Sequence, residues 1–301
     1  MPEQAAPAFD TARVRAIVEA ALEEDGARAD VTTRALVPPG QRGHGEIVAK
    51  AGGVIAGLPV AAEAFAALDP EVRFAPLVAD GARVAPGDVV ARIEGPLASI
   101  LSAERVALNF LQQLSGVATA TRKLVDAVAG LGVRPDGRAS ARILDTRKTT
   151  PGLRELERYA VRLGGGHNHR FNLAASVLIK DNHLAAIRER GLAIAEAVEL
   201  ARREAPAGTP VEIEVTTLAE AREALDAGAE ILLLDNMPVE EMRRAVELAR
   251  GRARTEASGG VTLETVRAIA ETGVDSISAG WITHSAPALD MSLELEVRER
   301  P

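Results

Sequence analysis

Val211-Glu-Ile-Glu-Val215 is followed by an amphipathic segment and then by a second apolar run, Ile231-Leu-Leu-Leu-Asp235. The alternation of apolar and acidic residues in the first run predicts a β-strand. Thr217-x-x-Glu220 has the pattern of a helix-capping box, and Gly228 is suited to end the helix that it begins. A strand, a helix and a second buried strand in this order predict a βα unit of a parallel sheet.

The same alternation extends outward from this stretch in both directions. Further strands are predicted at 143–144, 177–179, 254–257 and 276–278, and helices at 238–251 and 262–273. Glu214, Asp235, Ser258 and Gly280 then lie at or just after strand ends, each about one βα unit from the next. In a (β/α) barrel those ends meet around one mouth, so we expect these residues to be neighbours.

The first part of the chain has a different pattern. Helices are predicted at 11–24, with Asp10 as N-cap, and at 59–68, and strands at 45–50 and 53–56. The segment 30–33 is predicted to open a loop, and Pro86-Gly87 to turn a hairpin. A long helix is predicted over 99–128 with a break at Gly116.

Composition excludes several classes of function. The chain has 35 Lys and Arg against 43 Asp and Glu, a formal charge of −8, which argues against a general nucleic-acid or membrane-surface binder. Cysteine is absent, so no disulfide, thiol nucleophile or cysteine-ligated zinc is expected. Residues 1–10 show no secretory leader and no apolar run reaches membrane-spanning length, so a cytoplasmic protein is predicted.

Cations follow two of the early strands. Arg147 and Lys148 come after the strand that begins at Ile143, and Lys180 comes directly after Val177-Leu-Ile179. Ser258-Gly-Gly260 and Ala279-Gly280 follow the last two strands, where backbone N–H groups often hold a phosphate. Glycines here would also suit ordinary tight turns, but the cations on the same face favour a site for an anionic small molecule.

Two acidic residues and a basic pair complete the candidate site. Glu214 and Asp235 suit Mg²⁺ and sugar hydroxyls, or stabilisation of positive charge at a sugar carbon. A structural role, as helix caps or as a salt bridge to Lys180, is the alternative. His169 and Arg170 are interpreted as donors to a carboxylate rather than zinc ligands. Glu155 and Glu157, by contrast, are predicted to lie on a solvated helix face.

Long motifs in matching order resemble the quinolinate phosphoribosyltransferase family (carboxylating nicotinate-nucleotide pyrophosphorylases). The resemblance runs from about residue 10 to 295. Its motifs are Glu24-Asp25, Asp30-Val-Thr-Thr33, Glu104-Arg-Val-Ala-Leu-Asn-Phe-Leu-Gln-Gln-Leu-Ser-Gly-Val-Ala-Thr119, Asp145-Thr-Arg-Lys-Thr-Thr-Pro-Gly-Leu-Arg154, Gly164-Gly-Gly-His-Asn-His-Arg170, Lys180-Asp-Asn-His183, Leu234-Asp-Asn-Met237, Ser258-Gly-Gly260 and Thr283-His-Ser285.

This resemblance implies an α/β protein with an N-terminal α/β sandwich domain and an incomplete (β/α) barrel of the type II phosphoribosyltransferase kind. The implied domains are 1–117 and 118–284, with 285–301 packing back on the first. It also implies a homodimer, open to further assembly, in which Arg105 of one chain serves the partner's site. The reaction implied is phosphoribosyl transfer from phosphoribosyl pyrophosphate to quinolinate with decarboxylation, in NAD biosynthesis.

The resemblance assigns a role to each matching residue. The quinolinate carboxylates fall to Arg147, His169, Arg170 and the partner's Arg105, with Thr146 also in the substrate site. Lys148 and Lys180 would contact the pyrophosphate and carboxylate charges, and Glu214 and Asp235 would bind the ribose hydroxyls and Mg²⁺. The residues implied to bind the 5′-phosphate are Ser258, Gly259, Gly260, Ala279, Gly280 and Trp281. Two residues depart from the usual family pattern, Trp281 in place of a small residue and Ala175 in place of an acidic one.

Two other functions are consistent with parts of the pattern. A pyrophosphorylase-like paralogue associated with molybdenum transport shares the fold and several motifs, but Arg105, His169 and Arg170 together favour quinolinate. A non-catalytic phosphosugar-binding barrel is the second alternative. The presence of Lys148, Lys180, Glu214 and Asp235 argues against it.

Overall fold

The computed structural model describes residues 10–131 and 141–297. The predicted lack of a leader therefore concerns mostly residues outside the described part, as do the last positions of the segment 285–301. The helices are α1 Thr11–Glu24, α2 Val31–Leu36, α3 Leu58–Leu68, α4 Leu97–Val128, α5 Arg154–Leu163, α6 Asp181–Arg188, α7 Ile194–Glu204, α8 Leu218–Asp226, α9 Val239–Ala249, α10 Val266–Ala270 and α11 Trp281–His284. The strands are β1 Arg42–Ala49, β2 Gly53–Val54, β3 Arg73–Pro76, β4 Arg83–Val84, β5 Val89–Pro96, β6 Arg142–Leu144, β7 Val177–Ile179, β8 Val211–Val215, β9 Ile231–Asp235, β10 Arg254–Ser258, β11 Ser276–Ser278 and β12 Met291–Val297.

These elements form two compact units. Among the described residues, the first contains 10–122, 149–165 and 282–297, and the second contains 123–131, 141–148 and 166–281. The domain boundary at 117/118 stays a prediction. In the described part of the chain, no helix is long and apolar enough to cross a membrane.

The first unit is organised around an antiparallel sheet with the strand order β12-β1-β5-β3. The carboxylate of Asp10 caps α1 by accepting hydrogen bonds from two backbone N–H groups, as the sequence predicts. One face of α1, including Val18 and Leu22, is buried and packs against α3, where Phe65 is also buried. Strand β12 pairs with β1 along its length, from Gly43↔Val297 to Ala49↔Met291.

Three sequence predictions in this unit are wrong. Asp30 does not open a loop: its carboxylate accepts from the N–H groups of Thr32 and Thr33 and caps α2. The segments around Pro86-Gly87 do not form a hairpin, since β4 pairs with β2 whereas β5 pairs with β1 and β3. Helix α4 also continues through Gly116, where an added Cβ would overlap the carbonyl oxygen of Pro287. This glycine permits close packing rather than breaking the helix.

A fourth prediction fails on α5. Glu157 is fully buried rather than solvated, and its Oε2 accepts a hydrogen bond from the N–H of Thr150 at 3.1 Å. Burial raises the pKa of Glu157, while the contacts with Thr150 and Arg154 lower it in part. The helix therefore uses this carboxylate to fix the preceding loop.

The second unit contains a parallel sheet of six strands in the order β6-β11-β10-β9-β8-β7. Helices α7 to α10 pack against these strands, as in βα units. Within the described residues β6 and β7 remain the two edges of the sheet, which confirms the predicted incomplete barrel. Helix α10 is shorter than predicted, because Thr262 and Thr265 exchange hydrogen bonds before it begins.

Strand register gives this sheet one polar face. Glu212 aligns with Leu178, Glu214 with Leu233, Glu256 with both Leu233 and Ser276, and Ser258 with Asp235. Aligned residues of neighbouring parallel strands point to the same side of a sheet. Glu212, Glu214, Asp235, Glu256 and Ser258 therefore share one face, while Val211, Ile213 and Val215 occupy the opposite, apolar one.

Candidate active site

The carboxyl ends of the six parallel strands bring most of the predicted residues to one edge of the second unit. Lys180 follows β7, Glu214 lies in β8, Asp235 ends β9, Ser258 ends β10 and Gly280 follows β11. Thr146, Arg147 and Lys148 follow β6, and Ala279 and Trp281 flank Gly280. The predicted clustering at one barrel rim is therefore present in the described residues of this unit.

Lys180 and Glu214 form an ion pair within this rim. The ammonium Nζ lies 2.9 Å from Oε2 of Glu214, whose side chain is only 9% exposed. The backbone N–H of Lys180 donates to Nδ1 of His183 at 2.9 Å, which holds the lysine at the start of α6. The salt bridge that the sequence offered as an alternative is present, and it holds the cation at the end of β7.

The turns after β9 and β10 are locked together. Asn236 has a left-handed backbone with φ 50°, and its N–H donates to the carbonyl of Ser258 at 2.9 Å. Its side-chain amide donates to Oδ2 of Asp235 at 2.8 Å. Gly259 also has positive φ, and any Cβ there would overlap the Asn236 amide. This turn requires glycine for packing, and it leaves backbone beside the carboxylate of Asp235.

The loop that carries His169 is fixed by a carboxylate that the sequence reasoning did not place in the site. Asp145 is fully buried and accepts from the N–H of His169 at 2.7 Å and from Nδ2 of Asn168 at 2.6 Å. The backbone of His167 adds to this by forming a parallel bridge with Leu144 on β6. Asp145 thus attaches residues 167–170 to the edge of the sheet.

Arg147 is near enough to Arg170, in this loop, for their two positive charges to interact. Burial, and then the positive charge of Arg147, lower the pKa of Arg170, while Glu212 opposes this effect. The Arg170 guanidinium also donates to the carbonyl of Ser176 at 2.8 Å. Lys148 is exposed, and its N–H donates to Oγ1 of Thr146 at 3.0 Å. Neighbouring cations repel one another, so an anion placed between them would be stabilised.

Both ring nitrogens of His169 have partners on the polar face of the sheet. Nδ1 accepts from the N–H of Arg170 at 2.7 Å, whereas Nε2 lies 3.4 Å from Oε2 of Glu212 and 3.5 Å from Oε1 of Glu256. Burial lowers the pKa of His169, but the carboxylates of Glu212, Glu256 and Asp145 outweigh it and raise the pKa overall. Burial and the charge of Glu212 raise the pKa of Glu256 to about 7.

Sequence reasoning missed Glu212, Glu256, Asp145 and Asn168. A signal existed for the first two, because Glu212 precedes Glu214 by two positions and Glu256 precedes Ser258 by two. Residues two apart in a strand point to the same face, so both belong beside the predicted site. Asp145 offered no such signal, since its partners come from a loop more than twenty residues later.

Arg105 and Trp281 are the remaining residues of the predicted site. Arg105 is exposed on α4, in the first unit. Trp281 begins α11, and its indole Nε1 is buried without a hydrogen-bond partner among the described residues. The predicted roles of both residues remain untested.

Comparison with known proteins connects this geometry to a family. The sequence profile of the quinolinate phosphoribosyl transferase C-terminal domain matches residues 117–294, and that of the N-terminal domain matches residues 30–115. A probable nicotinate-nucleotide pyrophosphorylase [carboxylating] of Bacillus subtilis (strain 168) is 43% identical over 272 residues, covering 90% of each chain. One of Synechocystis is 45% identical over 277 residues, covering 91% of this chain and 90% of its own.

Solved structures agree with these matches. NadC from Streptococcus pyogenes superposes with a TM-score of 0.89 at 40% identity, covering 97% of this chain and 100% of its own. The nicotinate-nucleotide pyrophosphorylase from Francisella tularensis gives 0.87 at 36% identity, covering 98% and 99%.

Proposed function

The chain belongs to the quinolinate phosphoribosyl transferase family, and on that premise we propose that it transfers the phosphoribosyl group of phosphoribosyl pyrophosphate to quinolinate with loss of CO₂. The products are nicotinate mononucleotide, pyrophosphate and CO₂, so the reaction belongs to NAD biosynthesis. Relatives named quinolinate phosphoribosyltransferase [decarboxylating] support this reaction; one from Nicotiana tabacum is 40% identical over 306 residues, covering 96% of this chain and 84% of its own.

One observation carries the proposal in the structure: cations and carboxylates from separate strands line one rim. Arg147 and Arg170 provide paired guanidinium groups for the quinolinate carboxylates, since a fork of N–H donors matches a carboxylate. Lys148 and Lys180 meet the pyrophosphate. His169 is proposed to bind a carboxylate too, and for this one ring nitrogen has to exchange its present partner for the substrate.

We place the ribose 5′-phosphate at the turns after β10 and β11. Ser258, Gly259 and Gly260 offer backbone that closely approaches neighbouring groups, and Ala279, Gly280 and Trp281 lie after the adjacent strand. The indole N–H of Trp281 has no partner among the described residues, so it can donate a hydrogen bond to a phosphate oxygen. Trp281 then lines the phosphate site rather than closing it.

Glu214 and Asp235 are the proposed residues for Mg²⁺ and the ribose hydroxyls. Both offer the hard carboxylate oxygens that Mg²⁺ prefers, together with those of a substrate phosphate. Glu214 already neutralises Lys180, whereas the carboxylate of Asp235 contacts the neutral amide of Asn236 and no cation among the described residues. We therefore assign the larger share of the metal contact to Asp235. When bound, Mg²⁺ offsets negative charge on the pyrophosphate.

In the proposed mechanism, the pyridine nitrogen of quinolinate attacks the anomeric carbon of the ribose, and the bond to pyrophosphate breaks with inversion. Lys148 and Lys180 stabilise the charge that develops on the leaving group. Glu214 and Asp235 stabilise positive charge on the sugar. The ring nitrogen is then cationic, so the bond to the 2-carboxylate can break, with its electron pair held at C2. CO₂ leaves, a proton is taken up at C2, and no covalent enzyme intermediate is required.

We further propose a homodimer in which Arg105 serves the partner's site. Arg105 is exposed on α4, while its neighbours Ala103, Val106 and Ala107 are buried, so the helix presents this cation outward. A further assembly of dimers is compatible with this arrangement. Cytoplasmic location stays a prediction, and so does the absence of nucleic-acid or membrane partners, which is based on the acidic composition.

One assay tests the reaction and separates it from its alternatives. The purified protein is incubated with quinolinate, phosphoribosyl pyrophosphate and Mg²⁺, and both CO₂ and nicotinate mononucleotide are measured. Equal amounts of the two products are expected. A molybdenum-transport paralogue or a non-catalytic phosphosugar-binding barrel would release neither, and the Lys148→Ala variant provides the matched blank.

A further inference from the structure

Glu212 and Glu256 have no part in the mechanism above, yet they form a buried cluster with His169. Its three potential ligand atoms lie within 4.8 Å of one another, and all three side chains are largely buried. In the described structure, Oε1 of Glu212 has no hydrogen-bond partner, and Oε1 of Glu256 has none besides its 3.5 Å contact with Nε2 of His169. Buried carboxylates without full partners are costly, so their position beside the candidate site calls for a function.

The hydrogen bond that His169 Nδ1 accepts determines whether this cluster is suited to bind a metal ion. Nδ1 accepts from the backbone N–H of Arg170, so in this arrangement it carries no hydrogen of its own. The proton of the neutral ring is therefore on Nε2, which faces the two carboxylates. A metal bound at Nε2 would need that nitrogen free of its proton and would favour a donating Nδ1. The cluster is therefore a histidine ring held by two carboxyl groups and is not a metal-binding site.

The carboxylates raise the pKa of His169, but an imidazolium could form only if Nδ1 gave up its contact with the N–H of Arg170. Protonated Nδ1 would oppose the N–H of Arg170 at 2.7 Å, donor against donor. While that contact is kept, a further proton taken up by the cluster is held by Glu256 and not by His169. Burial and the charge of Glu212 raise the pKa of Glu256 to about 7. Ser276 lies 3.4 Å from the Glu256 carboxyl and helps to hold it.

We propose that Glu212 and Glu256 are positioning residues of the quinolinate site, which fix the ring of His169 in its Nε2–H tautomer and, through Nδ1, the backbone at Arg170. This fixed backbone positions the guanidinium of Arg170 beside Arg147. This inference rests on the proposed function for the identity of the ligand, whereas the tautomer of His169 can be examined without any substrate.

The first experiment reads the tautomer directly. Protein labelled with ¹⁵N only in histidine is observed in two-bond ¹H–¹⁵N spectra at one fixed pH, and His169→Gln assigns the signal. His169 is expected to show an unprotonated Nδ1 and a protonated Nε2. His183, whose Nδ1 accepts from Lys180, serves as the reference for the same tautomer. Glu212→Ala and Glu256→Ala are expected to release His169 to a mixture of forms and leave His183 unchanged.

The second experiment measures steady-state kinetics. Glu212→Ala and Glu256→Ala are expected to raise KM for quinolinate roughly 10- to 100-fold, as loss of a supporting contact does, with less than about a threefold change in KM for phosphoribosyl pyrophosphate. Glu256→Gln keeps the shape of the protonated acid and is expected to stay within about threefold of the unaltered protein. Glu223→Gln, which alters a half-buried glutamate on outer helix α8, is the matched control.

Each result has a definite reading. The proposal is overturned by a His169 signal that is unchanged in both alanine variants, or by an Nδ1–H tautomer in the unaltered protein. Equal increases in KM for both substrates would also overturn it, since they indicate general damage. If the unaltered protein fails to use quinolinate, the proposed function fails, but the spectrum of His169 still tests the positioning role.

Discussion

The ammonium group of Lys180 and the carboxylate of Glu214 lie 2.9 Å apart, and they come from the neighbouring strands β7 and β8. We expect Lys180→Ala to lower turnover by roughly 100-fold or more, because one cation at the leaving group is lost. It also leaves a largely buried carboxylate without its partner, at a cost of about 1–3 kcal/mol after discounting for the half-exposed lysine. Lys180→Ala combined with Glu214→Gln should regain the melting temperature but not the activity. A double variant no more stable than the single one would contradict the pairing.

Arg147 provides a second test, because its shape matters as well as its charge. Arg147→Ala is expected to reduce kcat/KM for quinolinate by roughly 100- to 1000-fold, while the fold survives. Arg147→Lys keeps the charge but lacks the planar fork, so most of that loss should remain. Circular dichroism of both variants provides the control. Near-normal activity of Arg147→Lys would show that only charge is needed at this position.

Arg105 tests whether two chains share a site. Arg105→Ala and Lys148→Ala are each expected to be inactive as pure proteins. In mixed dimers, one of the two sites would combine an intact Lys148 with an intact Arg105 from the partner, so partial activity should return. The measurement is turnover after mixing differently tagged variants and purifying the heterodimer. Absence of any rescue in verified heterodimers would argue against a shared site.

The raised pKa of Glu256 predicts how stability depends on pH. Its ordinary value is 4.5, whereas burial and Glu212 raise it to about 7 in the folded protein. The folded state therefore holds more protons between these values, and the contribution of this group to stability should fall as pH rises from about 4.5 to 7. Glu256→Gln removes that contribution. The melting temperature of Glu256→Gln relative to the unaltered protein is expected to increase across this pH window, and a constant difference would contradict the assignment.

Gly259 and Gly208 form a matched pair for the turn after β10. Both have a left-handed backbone, with φ of 85° and 82°, but only an added Cβ at Gly259 meets Asn236, while Gly208 faces open space. Either change to alanine should cost about 1–2 kcal/mol for the strained backbone. Only Gly259→Ala is expected to impair activity, by raising KM for phosphoribosyl pyrophosphate. Equal kinetic effects of the two variants would remove this turn from the proposed phosphate site.

Sequence patterns were sufficient where local chemistry decides structure. Asp10 predicted the start of α1, and the alternation in 211–215 predicted β8, since capping and burial act within a few residues. The spacing of Glu214, Asp235 and Ser258 also predicted their common rim, because parallel strands place equivalent positions side by side.

The structural features that the sequence did not predict depend on contacts between residues that are far apart in the chain. The Pro86-Gly87 turn predicts a hairpin by local rules, yet β4 and β5 find partners in different sheets. Gly116 suggests a helix break, but its lack of a side chain serves a contact with Pro287. The roles of Asp145 and Glu157 depend likewise on loops that tertiary contacts bring to them. These partners depend on the tertiary structure as a whole, so no local periodicity of the sequence indicates them.

The pairing of β12 with β1 has a consequence for how the protein is made. His44 meets Glu296 across this pair, 252 positions later in the chain. While the polypeptide is still emerging from the ribosome, the edge of β1 that β12 will cover has nothing from its own chain to protect it. Exposed strand edges promote aggregation, so nascent intermediates should be the stage at which this protein most needs chaperones. C-terminal deletions that remove 291–297 would make that temporary exposure permanent.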